Sequence, residues 1–124
     1  MLKNKKAFSS FSVDDLKKVK EFYGKTLALK IEENKKMGIL ELSLGGDDHV
    51  MIYPKDDHKP ATYTVLNFLV DDVEATVDAL VQKGVKFEHY KGFDQDQKGI
   101  SREWGMAWFE DPSGNIIAVI EDKK

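Results

Sequence analysis

The sequence predicts an α+β fold in which a strand–helix–strand–strand–strand unit is used twice. Three observations point there. The segment Phe11-Ser12-Val13-Asp14-Asp15-Leu16 recurs as Phe68-Leu69-Val70-Asp71-Asp72-Val73. Each copy is followed by apolar residues at helical spacing, then by stretches with the two-residue period of a strand. The last such stretch follows Asp111-Pro112-Ser113-Gly114-Asn115, a turn sequence in which proline presets φ and glycine accepts a positive one.

The elements follow in order. A first strand runs up to Val13, and the aspartates behind it suit a helix N-terminus. A short carboxylate accepts from the free N–H groups of the first turn, and its charge complements the helix dipole. Leu16, Val19, Phe22 and Tyr23 mark one helical face, with Gly24 near its end. Residues 37–44 read as a strand with Leu40, Leu42 and Leu44 on one face. Gly45-Gly46-Asp47-Asp48 turns the chain into a strand at 49–53, which Pro54 stops. In the second half, Val73, Val77, Leu80 and Val81 mark the helix, and Gly84 lies where a C-terminal cap belongs. Strands are expected at 85–90, 104–109 and 116–121. Residues 55–61 form a polar linker, so modules are expected at about 8–54 and 62–121 within one domain covering 1–124. Residues 91–101 make a loop long enough to serve as a lid.

Composition limits the function classes. A chain of 124 residues with 41% hydrophobic and 33% charged residues is sized for one globular domain. Its 19 basic and 22 acidic residues give a net charge of -3, without the basic footprint that a phosphate backbone requires, so no nucleic acid is expected. It contains no cysteine, which removes disulfides, thiol nucleophiles and thiolate metal sites and fits a reducing compartment. The basic N-terminus has no apolar stretch behind it, and no run approaches the ~20 residues that span a bilayer. A cytoplasmic protein without a membrane partner is expected.

Two of these motifs resemble the vicinal oxygen chelate superfamily of glyoxalases, bleomycin resistance proteins and extradiol dioxygenases. The match is carried by Val13-Asp14-Asp15-Leu16 leading to Phe22-Tyr23 and Leu27. Its second part is residues 105–109 running into Asp111-Pro112-Ser113-Gly114-Asn115-Ile116-Ile117. It covers about residues 8–121. The resemblance implies two tandem βαβββ modules whose curved mixed sheets surround a cup. In relatives that perform chemistry, four inward-facing His, Gln or Glu side chains from the first and last strands of each module hold a divalent metal. Open positions on that metal take the oxygens of the substrate. Carried over by position, these ligands fall at Phe8, Met51, Val65 and Ala118, none of which suits a hard or borderline ion. A slip of one residue brings Ser9, Val50 or Ile52, Leu66, and Ile117 or Val119, which is still no metal site. No metal and no other cofactor is therefore expected.

Strand alternation also gives the candidate lining of the cup. It takes Phe8, Ser10 and Ser12 from the first strand and His49, Met51 and Tyr53 from the fourth. Tyr63, Val65, Asn67 and Leu69 come from the repeat of the first strand. Trp104, Met106 and Trp108 precede the turn, and Ile116, Ala118 and Ile120 follow it. The expected ligand-binding set is Phe8, Ser10, Ser12, His49, Met51, Tyr53, Val65, Asn67, Trp104, Trp108 and Ala118. Rings with sparse hydroxyls and amides suit a pocket for an apolar small molecule, although the two tryptophans would serve equally as plain packing. His58 and His89 are expected to be solvated and His49 to edge the cup, where Glu41 could join it in a two-donor site.

No Ser-His-Asp, Cys-His or phosphate-cradling glycine pattern is present, so no activated nucleophile can be named. The favoured reading is a metal-independent protein that binds or sequesters a small apolar or aromatic molecule. The alternative is a lyase, isomerase or dioxygenase with displaced ligands, or metal-free catalysis through Glu41, His49 or Tyr53. A third is an interaction subunit whose cup is filled by its own side chains. Open sheet edges, and the assembly of the relatives, imply a homodimer.

Overall fold

Alternating apolar and polar residues commit one face of a strand to a core. In a computed structural model of the protein, which describes residues 1–123, this happens in two compact units, Met1–Lys59 and Pro60–Lys124. Both contain an open sheet. No helix among the described residues is long and apolar enough to cross a membrane.

The first unit runs β1 (Ser9–Val13), α1 (Leu16–Glu21), a π-helical turn (Phe22–Thr26), β2 (Lys30–Asn34), β3 (Ile39–Ser43) and β4 (His49–Pro54). Its strand order is β1-β4-β3-β2, with β1 parallel to β4 and the other pairs antiparallel. Phe11, Val13, Leu40, Leu42, Val50 and Ile52 are buried with Val19 and Tyr23 from the helical segment. Asp15 caps α1, accepting from the N–H groups of Lys17 and Lys18 at 3.1 and 3.2 Å. The helical spacing of Phe22 and Tyr23 continues α1 in the sequence, but the backbone widens there, and Leu27 N–H donates to Phe22 O at 2.9 Å. Strand β2 lacks a periodic signal because Ile31 is its one apolar residue; it is held as an edge strand by pairing with β3.

The second unit runs β5 (Thr64–Val70), α2 (Val73–Gln82), β6 (Met106–Glu110) and β7 (Ile116–Glu121). The strand order is β5-β7-β6, with β5 parallel and β6 antiparallel to β7. Asp72 caps α2 through Ala75 N–H at 3.0 Å, as Asp15 does in the first unit. At the other end Gly84 takes φ 95°, and Val85 N–H donates back to Leu80 O. Val73 and Val77 are buried on the side where Phe109, Ile117 and Val119 form the core.

Two strand expectations need correction. Residues 85–90 form a single bridge, Phe87 to Phe109, rather than a strand. The side chain of Gln95 takes the place of a ladder neighbour: its Oε1 accepts from Tyr90 N–H at 2.8 Å and its Nε2 donates to Glu88 O at 3.0 Å. The strand expected at 104–109 begins at Met106. Residues 102–105 are a tight turn closed by Gly105 N–H to Ser101 O at 2.7 Å, so Trp104 lies outside the sheet.

The loop at 91–101 is cross-linked rather than loose. Asp96 accepts from the N–H groups of Lys98 and Ile100 and from Arg102 Nε, each at 2.9 Å. Lys98 reaches Glu74 and Asp78 on α2 at 2.9 Å, and Arg102 reaches Glu74 at 3.1 Å. The hydrogen bonds from Lys98, then from Arg102, hold the Glu74 carboxyl below its ordinary range. Burial raises Asp96, but the Ile100 N–H, the Arg102 guanidinium and the Lys98 N–H outweigh it and leave that carboxyl low as well.

The 111–115 turn is the best-satisfied piece of buried polar structure. Asp111, 4% exposed, accepts from the N–H groups of Ser113 and Asn115 at 2.8 and 2.9 Å and from Asn115 Nδ2 at 3.1 Å. Asp111→Ala strips those buried donors of their carboxylate acceptor and should cost about 2–4 kcal/mol, read from urea unfolding. Gly114→Ala should also destabilise, because φ is 82° and an added Cβ would meet Pro60 at 2.9 Å.

The ion pairs of the loop carry a pH dependence whose sign is fixed. Carboxylates with depressed folded values stabilise above their ordinary range and lose that effect as the pH falls through the depressed value. Exchange protection of the Lys98 and Ile100 amides, corrected for intrinsic rates, should hold from pH 7 to about 5 and decline below. Protection that stays flat to the acid limit would mean these carboxylates do not hold the loop.

Candidate functional site

The helix of each unit covers one sheet face, and the candidate site lies on the other face of the second sheet. Strand pairing fixes who shares that face. Asn67, Ala118 and Trp108 stand in one row across β5, β7 and β6, and Thr64, Ile116 and Glu110 in a second. Ala118 is the small member of its row, beside the indole of Trp108. The residues after α2 close the site from the side. Glu88 N–H donates to Trp108 O at 2.8 Å, and Tyr90 follows two positions on, with the same facing.

The result is a cavity of about 420 Å³ lined by Thr62, Tyr63, Thr64, Tyr90, Phe93, Trp108 and Ile116. Its floor is Trp108, which is 4% exposed. Tyr90 meets that indole edge-on at a centroid distance of 5.9 Å, and Phe93 from the loop lies at 4.8 Å with a tilt of 52°. Offset and edge contacts of this kind are favourable ring geometries. The Tyr90 hydroxyl is buried and has no hydrogen-bond partner. Burial, then the negative charges of Glu110 and Glu88, push its phenol above the ordinary value. Glu110 is itself raised, by burial and then by Glu88 and Asp111. A cavity of this size with apolar walls fits a drug-sized molecule.

The first sheet carries a different bare face. Ser10, Met51, Glu41 and Glu32 stand in one row, Ser12 pairs with Tyr53, and His49 pairs with Ser43. Phe8 stacks on the His49 ring at 4.8 Å and remains 56% exposed. Ser12 Oγ and His58 Nδ1 share a hydrogen bond of 2.7 Å. His58 was expected to be solvated in the linker, so this contact across 46 positions corrects that reading. His89 is exposed, as expected, and its Nε2 donates to Asp96 O at 3.0 Å, helping to shape the loop.

The residues expected to line the site come from both units. Phe8, Ser10, Ser12, His49, Met51 and Tyr53 belong to the first unit; Val65, Asn67, Trp104, Trp108 and Ala118 belong to the second. From that set the cavity takes Trp108 into its lining. Trp104 is corrected most clearly: in its turn it is 58% exposed and is not among the residues that line the cavity. Val65 falls at a register shift, with Thr64 paired to Ile116 and Leu66 to Ile117, so the alternation through it breaks. Ala118 and Asn67 do share the face of Trp108. Sequence reasoning missed Thr62, Thr64, Tyr90 and Phe93. The bulge hides the first pair, while Tyr90 and Phe93 lie in or beside a loop where no period applies.

The residues do not fit the divalent metal that the fold's chemistry uses elsewhere. Phe8, Met51, Val65 and Ala118 offer no nitrogen or oxygen donor, and Ala118 is fully buried. Among the described residues, no group of three or more His, Cys, Asp or Glu is placed to hold an ion. Glu41 and His49 lie near one another on the first sheet, as strand pairing requires, but they make a two-donor set.

A profile of the Glyoxalase/Bleomycin resistance protein/Dioxygenase superfamily matches residues 8–119. A search of curated proteins gives no significant match. Among solved structures, the chain is similar to TnmS3, an antibiotic binding protein from Streptomyces sp. CB03234. The two share 24% identity and a TM-score of 0.70, over 97% of this chain and 98% of that one. It is similar to the fosfomycin resistance protein FosX from Listeria monocytogenes, at 16% identity and a TM-score of 0.70, over 94% and 90% of the two chains. A glyoxalase/dioxygenase from Nostoc punctiforme gives 14% identity and a TM-score of 0.71, over 99% and 94%. At these identities the structural likeness speaks for the fold. The duplicated βα units and the turn before the last strand lie within the span that the profile matches, and the chain belongs to the Glyoxalase/Bleomycin resistance protein/Dioxygenase superfamily.

Proposed function

We propose that this protein binds, and in that way sequesters, a small apolar or aromatic molecule in the cavity of its second unit, without a metal ion. The observation that carries this reading is the ring wall of Trp108, Tyr90 and Phe93 around about 420 Å³ of space. Ring surfaces supply affinity by area, and Thr62, Thr64 and the Tyr90 hydroxyl supply the few polar groups that orient a ligand. Similarity to an antibiotic binding protein and to a fosfomycin resistance protein supports a role in capturing a foreign or reactive compound. The donor-poor residues at positions 8, 51, 65 and 118 support binding over metal-dependent turnover.

The reading extends to assembly and place. Exposed Phe8, Leu69 and Trp104 give apolar surface for a second copy of the chain, and the cysteine-free composition suits the cytoplasm. Light scattering at micromolar concentration is expected to give twice the 14.1 kDa chain mass; a monomer mass would remove the homodimer.

Binding itself is tested on untagged protein. Elemental analysis should find no stoichiometric Zn, Ni, Mn or Fe, and adding those ions should not raise the melting temperature. Flat bicyclic aromatic compounds should quench tryptophan emission and saturate at one equivalent per chain. Phe93→Ala, in an exposed loop position, should weaken that binding by about threefold to tenfold through loss of one ring contact. One equivalent of bound metal, or affinity indifferent to Phe93, would overturn the proposal.

A further inference from the structure

We infer that the cavity selects among flat ring compounds for those that present a hydrogen-bond acceptor to the Tyr90 hydroxyl and carry no negative charge. The inference rests on the ligand-binding reading of this cavity and names the class of ligand. Its starting point is an exception. Buried polar groups in folded proteins are almost always paired, yet the Tyr90 hydroxyl is buried without a partner, in a residue that lines the cavity. An unpaired buried donor is costly, and a ligand acceptor placed against it removes that cost.

The neighbourhood decides which acceptor fits. The indole of Trp108 and the ring of Phe93 stand 4.8 Å apart at centroids, and Tyr90 meets the same indole edge-on. All three rings line the same cavity, so a flat ring held there has the Tyr90 phenol among its neighbours. A ring nitrogen or a ring carbonyl lies in that edge and accepts; a bare hydrocarbon edge does not. Charge then separates the acceptors. None of the lining residues is cationic. Glu110 shares the Thr64–Ile116 row, and Glu88 stands beside Trp108 on the same face. Lys91, the cation nearest Tyr90 in sequence, is exposed. A carboxylate in the ligand would face two carboxylates with no compensating cation in the wall, whereas a neutral or basic ring would not.

Three probes of nearly the same shape test this: quinoline, naphthalene and 2-naphthoate, titrated at pH 7.5 against tryptophan emission and by calorimetry. Quinoline should bind about tenfold more tightly than naphthalene, the worth of one buried neutral hydrogen bond. Tyr90→Phe should lower quinoline affinity about tenfold and so erase that ratio, and its melting temperature should not fall, since an unpaired hydroxyl is removed. The 2-naphthoate should bind more weakly than naphthalene, and Glu88→Gln with Glu110→Gln should restore it. An unchanged quinoline-to-naphthalene ratio in Tyr90→Phe would overturn the inference, as would 2-naphthoate binding the native protein as tightly as quinoline. Those failures leave ring binding standing. Binding of none of the three probes, by contrast, would remove the ligand-binding reading together with its selectivity.

Discussion

Everything in this fold follows from a parallel pairing between the first and last strands of each unit. Strand β1 lies parallel to β4, and β5 lies parallel to β7. Parallel neighbours cannot be joined by a tight turn, so the chain must cross over, and here it does so through one helix per unit. One helix covers one face. The apolar residues of both strands that turn toward it, Phe11 and Val13 with Val50 and Ile52 in the first unit, are buried for that reason. The opposite face receives no helix from its own unit, and in the second unit the cavity stands there.

The two bare faces have diverged in chemistry although the units share a plan. In the first, the rows alternate hydroxyls, a thioether, carboxylates and an imidazole, with Ser12 tied to His58 and Phe8 laid on His49. In the second, the corresponding face is dominated by Trp108 and the aromatic residues that close on it. The difference comes less from the strands than from the segment after the helix. In the second unit that segment forms one bridge, yields its ladder bonds to Gln95, and so frees the chain to bring Tyr90 and Phe93 over the sheet. The ion pairs from Lys98 and Arg102 to Glu74 fix the far end of the same loop on α2. A ring wall assembled this way is set by the packing of a loop, not by strand period.

That origin explains what the sequence disclosed and what it did not. The caps at Asp15 and Asp72, the turn at 111–115 and the strand at 116–121 are local: each depends on a few adjacent residues whose chemistry has one good solution. They are legible, and with the repeat they disclose the fold. The site depends on events that leave no local trace. The register shift at Val65 breaks an alternation that looks unbroken in sequence, and the turn at 102–105 takes Trp104 out of a strand its apolar neighbours suggest. The π-helical turn at 22–26 keeps Tyr23 buried where ordinary helical spacing also places it, so that deviation was invisible for the opposite reason. Trp108 was legible because it occupies a regular position on β6. Tyr90 and Phe93 were not, since a long-range contact with that tryptophan is what gives them a role.

The row holding Ala118 suits an aromatic wall better than a charged side chain. Ala118 is fully buried and sits across from Trp108 in the strand ladder. The resemblance carries a metal-ligating position (His, Gln or Glu in relatives that perform chemistry) onto Ala118. A charged group there would lie against the indole without an ion, and the burial penalty for an unpaired carboxylate is severe. Alanine at 118 gives Trp108 a small neighbour in its row, and Tyr90 and Phe93 meet the indole at 5.9 and 4.8 Å. On this face the rings of Trp108, Tyr90 and Phe93 pack on one another, and a carboxylate set among them would cost stability.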